Sequence, residues 1–190
     1  MKSTIFSLYS RGLWIVLLLA VISGSSVSAG LLSKMDYMLH SWPKKHRIQT
    51  LLVTGNYVKS RLLAELVQHH TEHPLLLVNP ANGTTELYFM PYADEAMQLD
   101  EAECIEFVEL VNPKRVLFVG GPRYIPDSVA EKIESRVSSV RVSSPNWAKN
   151  AKALADMFMY RKLPERFARY YGQLEKSSRS QQAPPPSFGR

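Results

Sequence analysis

Four short apolar runs punctuate this chain, and a stretch of helical periodicity follows each one. Thr50-Leu51-Leu52-Val53-Thr54 ends at Gly55-Asn56, and Val58, Leu62, Leu63, Leu66 and Val67 then recur at helical spacing. Pro74 leads into Leu75-Leu76-Leu77-Val78-Asn79, followed by a turn-rich segment from Pro80 to Pro91 with a short extended piece at Leu87-Tyr88-Phe89-Met90. Asp100 opens a helix: Glu103 is placed as its capping-box partner, and Leu99 and Cys104 as its hydrophobic staple. Arg115-Val116-Leu117-Phe118-Val119 is the third run and ends in Gly120-Gly121, with a helix beginning near Pro126. Ser139-Val140-Arg141-Val142-Ser143 is the fourth, and Asn146 precedes a last helix carrying Ala151, Leu154, Ala155 and Phe158.

Apolar runs of this kind, without alternation, mark strands buried on both faces. Separated by amphipathic helices, they build right-handed crossovers and a parallel sheet. The pattern predicts an α/β fold over residues 48–160, a small Rossmann-like three-layer sandwich with about four parallel strands.

The flanks read differently. Leu13 to Ile22 carries no charge, Lys2 and Arg11 precede it, and Val27-Ser28-Ala29 has the small-x-small form of a cleavage site. Ten apolar residues are too few to span a bilayer as a helix, so residues 1–29 read as a secretory signal peptide, with an uncleaved N-terminal anchor as the alternative. No integral membrane segment is expected after cleavage. Leu31, Leu32, Met35, Met38, Leu39 and Trp42 predict a helical cap over residues 30–47, stopped by Pro43. Residues 161–176 interleave Arg161, Lys162, Arg166 and Arg169 with Phe167, Tyr170 and Tyr171 as a basic aromatic helix. Ser, Gln and Pro dominate residues 177–190, which read as a disordered tail.

Composition narrows the chemistry. The 190 residues hold 23 Lys plus Arg, 17 Asp plus Glu and one Cys, a globular balance. Removing Lys2 and Arg11 with the signal lowers the net charge from +6 to +4, a mild basic bias that gives no nucleic-acid stripe. A single cysteine excludes an internal disulfide and a cysteine zinc cage.

In open parallel sheets, ligands lie beyond the carboxyl ends of the strands. Those ends here are Thr54-Gly55-Asn56-Tyr57, Asn79, Gly120-Gly121-Pro122-Arg123-Tyr124, and Ser143-Ser144 with Asn146 and Trp147. The candidate ligand-binding residues are Thr54, Gly55, Asn56, Asn79, Gly120, Gly121, Arg123, Tyr124, Ser144 and Asn146. Hydroxyls, amides and one cation suit a sugar or an anion, although Gly and Asn are also ordinary turn formers. Neither a dinucleotide fingerprint nor a P-loop is present, and no cofactor is implied. His69, His70 and His73 crowd a helix end before Pro74, where histidine also complements the helix dipole, so no metal is assigned to them. The acids from Asp94 to Glu109 lack calcium-loop spacing, and Cys104 falls on the apolar side of its helix. No catalytic residue emerges; Asp127 suits a helix start better than general acid–base work.

The order of these motifs resembles the type-2 cell-wall-binding repeat family. The resemblance is carried by Leu51-Leu52-Val53-Thr54-Gly55-Asn56, Pro74-Leu75-Leu76-Leu77-Val78, Lys114 to Gly121, Ile125 to Ile133 and Val140-Arg141-Val142-Ser143, within residues 48–158. Arg141, Asn146 and Ala151 agree with the family's last segment, whereas Ser144, Trp147, Ala148 and Asn150 depart from it. Members usually carry three tandem repeats; this chain holds one.

The resemblance implies non-catalytic attachment to anionic wall polymers. With the export signal, it leads to the expectation of a secreted or periplasmic, envelope-associated binding module for an anionic polymer or glycan. A self-associating scaffold, or an envelope hydrolase acting on a sugar or phosphate ester, are the alternatives.

Overall fold

The computed structural model describes residues 48–81, 84–91 and 96–182. The expected signal peptide, the helical cap up to Arg47 and the last eight residues lie outside them. The elements are β1 (Thr50–Gly55), α1 (Val58–Thr71), β2 (Leu75–Ala81), β3 (Thr84–Met90), β4 (Met97–Asp100), α2 (Cys104–Val111), β5 (Arg115–Val119), α3 (Asp127–Glu134), β6 (Ser139–Val142), α4 (Trp147–Met157) and α5 (Leu163–Gln182).

One six-stranded sheet runs in the order β4-β3-β2-β1-β5-β6. The four apolar runs form its parallel part, β2-β1-β5-β6, as their pattern predicts. Two further strands enlarge it: β3 pairs antiparallel with β2 and β4 antiparallel with β3. The expected short extended piece at residues 87–90 is the second half of β3. The four-residue β4 is legible only in hindsight, from its alternation of buried Met97 and Leu99 with exposed Gln98 and Asp100. The sheet is thus α/β and mostly parallel, with six strands rather than four.

Each face of the sheet is covered. Leu52, Leu75, Leu77, Leu117 and Val119 point to one side and pack with Leu63, Ala64 and Val67 of α1, Ala151 and Leu154 of α4, and Leu163 and Phe167 of α5. Strand alternation sends Leu51, Val53, Leu76, Val116 and Phe118, all fully buried, to the other side, under α2 and α3. There Phe89 of β3 meets Phe107 of α2 edge to face at 4.8 Å. Burial of these side chains, each contributing about 1.5–3 kcal/mol, holds the fold without a disulfide.

The helix starts follow their local signals. Asp100 and Glu103 form the reciprocal capping box, on a single 3-10 turn (Glu101–Glu103) that leads into α2. Asn146 caps α4, its side-chain oxygen accepting from the Ala148 amide at 2.9 Å. Cys104 is buried in the core, and burial pushes its thiol up to about 11. The helical order of α5 runs past the expected limit at Lys176 to Gln182. Its Ser177 and Ser178 hydroxyls donate to the carbonyls of Gln173 and Leu174, one turn back.

Candidate functional site

The chain leaves β1 toward β2 on one side, whereas β5 lies on the other, so the β1/β5 boundary is the topological switch point where open sheets part their loops. In this molecule that opening is filled from within. Residues 121–125 turn back on themselves, with the Tyr124 and Ile125 amides donating to the Gly121 carbonyl at 2.9 and 3.1 Å. The turn sets the Tyr124 carbonyl directly over Gly55, where an added β-carbon would meet the oxygen at 2.3 Å. Gly120, at φ +120°, supplies the backbone bend that starts the turn.

The Tyr124 ring continues the plug. It packs edge to face against Tyr57 at 5.4 Å and against Trp147 at 5.0 Å, and the Trp147 indole N–H donates to its hydroxyl at 3.3 Å. Three rings from three different strand ends therefore meet at the switch point. Trp147 is nearly buried, whereas Tyr57 remains 43% exposed on the rim.

Many polar groups named from the sequence are engaged beneath this layer. The buried Thr54 hydroxyl donates to the Val119 carbonyl at 2.6 Å, tying β1 to β5. Ser60 donates to the Gly55 carbonyl at 2.6 Å. The Ser144 amide donates to the side-chain oxygen of the buried Asn150, whose amide group donates back to the Ser144 carbonyl. Asn146 caps α4 and donates its own amide to the Ser144 hydroxyl. Asn79 stands beside Asn56 along the strand ends but turns its amide toward β3, donating to Glu86 at 3.0 Å. Gly55, Gly120 and Tyr124 thus meet in one contact. Thr54, Ser144 and Asn146 brace the loops around it, and Asn79 belongs to the neighbouring hairpin. Gly121 lies beside Ser143, and an added β-carbon there would stand 3.9 Å from the Ser143 side chain.

What remains on the outside is aromatic and basic. Arg123 is exposed and makes no ion pair among the described residues. Asn56 accepts from Arg61 at 3.4 Å, although Arg61 makes its shorter contact, 2.7 Å, with Glu65. Lys59 places its ammonium 4.6 Å over the Tyr171 ring of α5. Polar interaction with the Tyr171 side chain, then the weaker fields of Glu175 and Tyr124, hold this ammonium above its ordinary value against partial desolvation. Lys59 and Tyr171 are the site residues that sequence reasoning missed. The interleaved basic and aromatic residues of 161–171 were visible, but only packing shows that α5 returns along α1 to the carboxyl rim.

Chemically, this rim stacks and hydrogen-bonds. Asp127, the nearest carboxylate to the Tyr124 turn in sequence, opens α3 and lies 4.0 Å from Arg141. Arg141 also pairs with Glu134 at 3.5 Å and covers the Phe118 ring. Among the described residues no cluster of histidine, cysteine or carboxylate side chains has the arrangement of a metal site. No family model, curated protein or solved structure matches this chain.

Proposed function

We propose that this chain is a non-catalytic binding module of the cell envelope that takes an anionic or glycan component at the carboxyl rim of its sheet. The observation that carries the reading is the composition of that rim. Tyr57 stands exposed on a braced aromatic stack, with the Lys59 ammonium over Tyr171 and the exposed Arg123, which makes no ion pair among the described residues, on the same rim. Aromatic rings offer flat apolar faces with a polar edge, which suit the faces of sugar rings. Lysine and arginine add charge-assisted hydrogen bonds to carboxylate or phosphate substituents.

The Thr54 hydroxyl and the Asn150 amide are spent on internal hydrogen bonds, which supports recognition by the exposed groups of the rim. The engagement of Asp127 with Arg141 supports binding over acid–base chemistry. The envelope setting rests on the apolar N-terminal run and on the motif order shared with cell-wall-binding repeats.

Cosedimentation of the full chain with purified envelope polysaccharide at low salt tests the reading. The wild-type chain is expected to be retained and to be released progressively as salt screens the charged contacts. Tyr57→Ala combined with Lys59→Ala is expected to weaken retention about tenfold or more while the far-ultraviolet circular dichroism shows the fold retained. Absence of retention for the wild-type chain at low salt, or equal retention of the double variant, overturns it.

A further inference from the structure

The two helical layers of this sandwich carry opposite charge. From Asp100 to Val111, the turn and helix α2 hold five acidic residues and no Lys or Arg. On the opposite side of the sheet, residues 147–182, spanning α4 and α5, hold eight basic residues against three acidic ones. Internal pairing removes only part of this contrast. Glu101 is bound by Lys132 at 2.6 Å, and Glu109 faces Arg136 at 3.5 Å. Glu106 and Glu131 on the acidic side make no ion pair among the described residues, nor do Lys149, Lys152, Arg161 and Lys162 on the basic side.

Each layer also carries a surface feature toward the amino ends of the strands, a projecting side chain on one and a cleft on the other. On the basic layer, Met159 in the α4–α5 turn is 89% exposed and is held at φ 53°, a left-handed conformation that a side chain of this size rarely adopts. The turn is fixed from below, where Phe158 packs on His73 at 5.6 Å and Tyr160 stacks on His70 at 4.0 Å. The methionine is thus presented outward by a rigid support. On the acidic layer, a cleft of about 250 Å3 opens between the ends of α2 and α3, lined by Val108, Glu109, Asn112, Pro113, Arg136 and Val137. Its apolar residues are Val108, Pro113 and Val137, and Glu109 stands at its rim.

We infer that copies of this chain associate head to tail, the basic layer of one on the acidic layer of the next, with Met159 entering the cleft between α2 and α3. Knob and cleft lie at the same end of the sheet on opposite faces, so a displacement across the sheet brings one onto the other. Arg161 and Lys162, directly after the knob, then approach Glu106 and Glu109 beside the cleft. An unbranched methionine adapts to an irregular cleft better than a branched side chain does. Because the two surfaces differ, the contact is heterologous: after one contact the first copy still offers its cleft and the second its knob, and association proceeds to a ring or an open filament. The surface is separate from the carboxyl rim and does not depend on its function.

Sedimentation equilibrium of the full chain tests this. Concentration-dependent association is expected at low salt, weakening as salt rises. Met159→Asp is expected to weaken association about tenfold or more, and Met159→Leu to retain it. Arg161→Glu with Lys162→Glu reverses the charge directly beside the knob, and Glu106→Lys with Glu109→Lys reverses it beside the cleft. Each alone is expected to be monomeric, and their equimolar mixture to associate. Unchanged thermal melts separate loss of contact from misfolding. A monomeric wild-type chain at all concentrations, association indifferent to Met159→Asp, or a mixture that stays monomeric overturns the inference. Capture of a monomeric wild-type chain on phosphatidylglycerol vesicles, lost in Met159→Asp, assigns the basic layer to a lipid surface and overturns it as well.

Discussion

The carbonyl oxygen of Tyr124 rests where the β-carbon of any residue but glycine at position 55 would have to be, 2.3 Å away. This one contact seats the turn after β5 on the end of β1. The oxygen belongs to the backbone of a turn that carries the central ring of the aromatic stack, so it cannot yield without moving the stack.

Gly55→Ala is therefore expected to destabilise the fold by about 1–3 kcal/mol, the range for overpacking a filled interior. It should also weaken the near-ultraviolet circular dichroism of the Tyr57–Tyr124–Trp147 contact. Chemical denaturation and the spectrum of the folded variant check both. Gly172→Ala is the counterpart: nothing lies within 4 Å of an added β-carbon there. It is expected to strengthen α5 by about 0.5–1 kcal/mol, seen as slower amide exchange in that helix.

Asn150 holds the loop after β6 through paired hydrogen bonds to the Ser144 amide and carbonyl, at 2.8 and 2.9 Å. Asn150→Ala is expected to cost about 1–3 kcal/mol, because it removes the partner of polar groups next to the core. Denaturant midpoints measure the loss. Amide exchange at Ser144 should accelerate beyond that of the strands.

Cys104 is fully buried, and desolvation raises its thiol to about 11. At neutral pH it is protonated and shielded, so a thiol reagent is expected to leave the native chain unmodified and to react at once in denaturant. Labelling of the native chain as fast as that of the unfolded one would contradict its place in the core.

His73 is held below its ordinary value of 6.5, first by burial and then by Arg115. The folded state resists protonation that the unfolded chain accepts. Stability is therefore full above about pH 6.5 and falls as pH drops from there toward the depressed folded value, below which this contribution is constant. Denaturation midpoints measured between about pH 7 and pH 5 should show this slope, and His73→Phe should reduce it.

Most of the fold was legible because its signals are local. The strands β1, β2 and β5 are centred on continuous apolar runs, β6 carries its two valines between Ser139, Arg141 and Ser143, and Asp100, Pro126 and Asn146 mark helix starts by chemistry that acts within one turn. β4 was not legible: four residues whose outward positions are Gln98 and Asp100 have no distinct pattern until β3 provides a partner. The end of α5 was misjudged for a related reason. Its polar composition reads as unstructured, yet serine side chains bonding back along the helix accompany its continuation.

The site divides the same way. Gly55, Gly120 and Tyr124 were found because tight βα turns demand particular residues at particular places. Their meeting was not, since Tyr57, Tyr124 and Trp147 are far apart in sequence and only the β1-β5-β6 order brings their strand ends together. Lys59 entered the rim only through its contact with Tyr171.

By itself the sequence determined the class of fold, its parallel core and several helix starts, because apolar periodicity and capping are set by neighbours along the chain. Tertiary structure alone decided that the crevice is filled by Tyr124 and that α5 reaches the rim. It also decided that acidic and basic helices cover opposite faces. Each of these depends on which elements lie side by side, and that choice is made by burial across the whole sheet rather than by any local stretch.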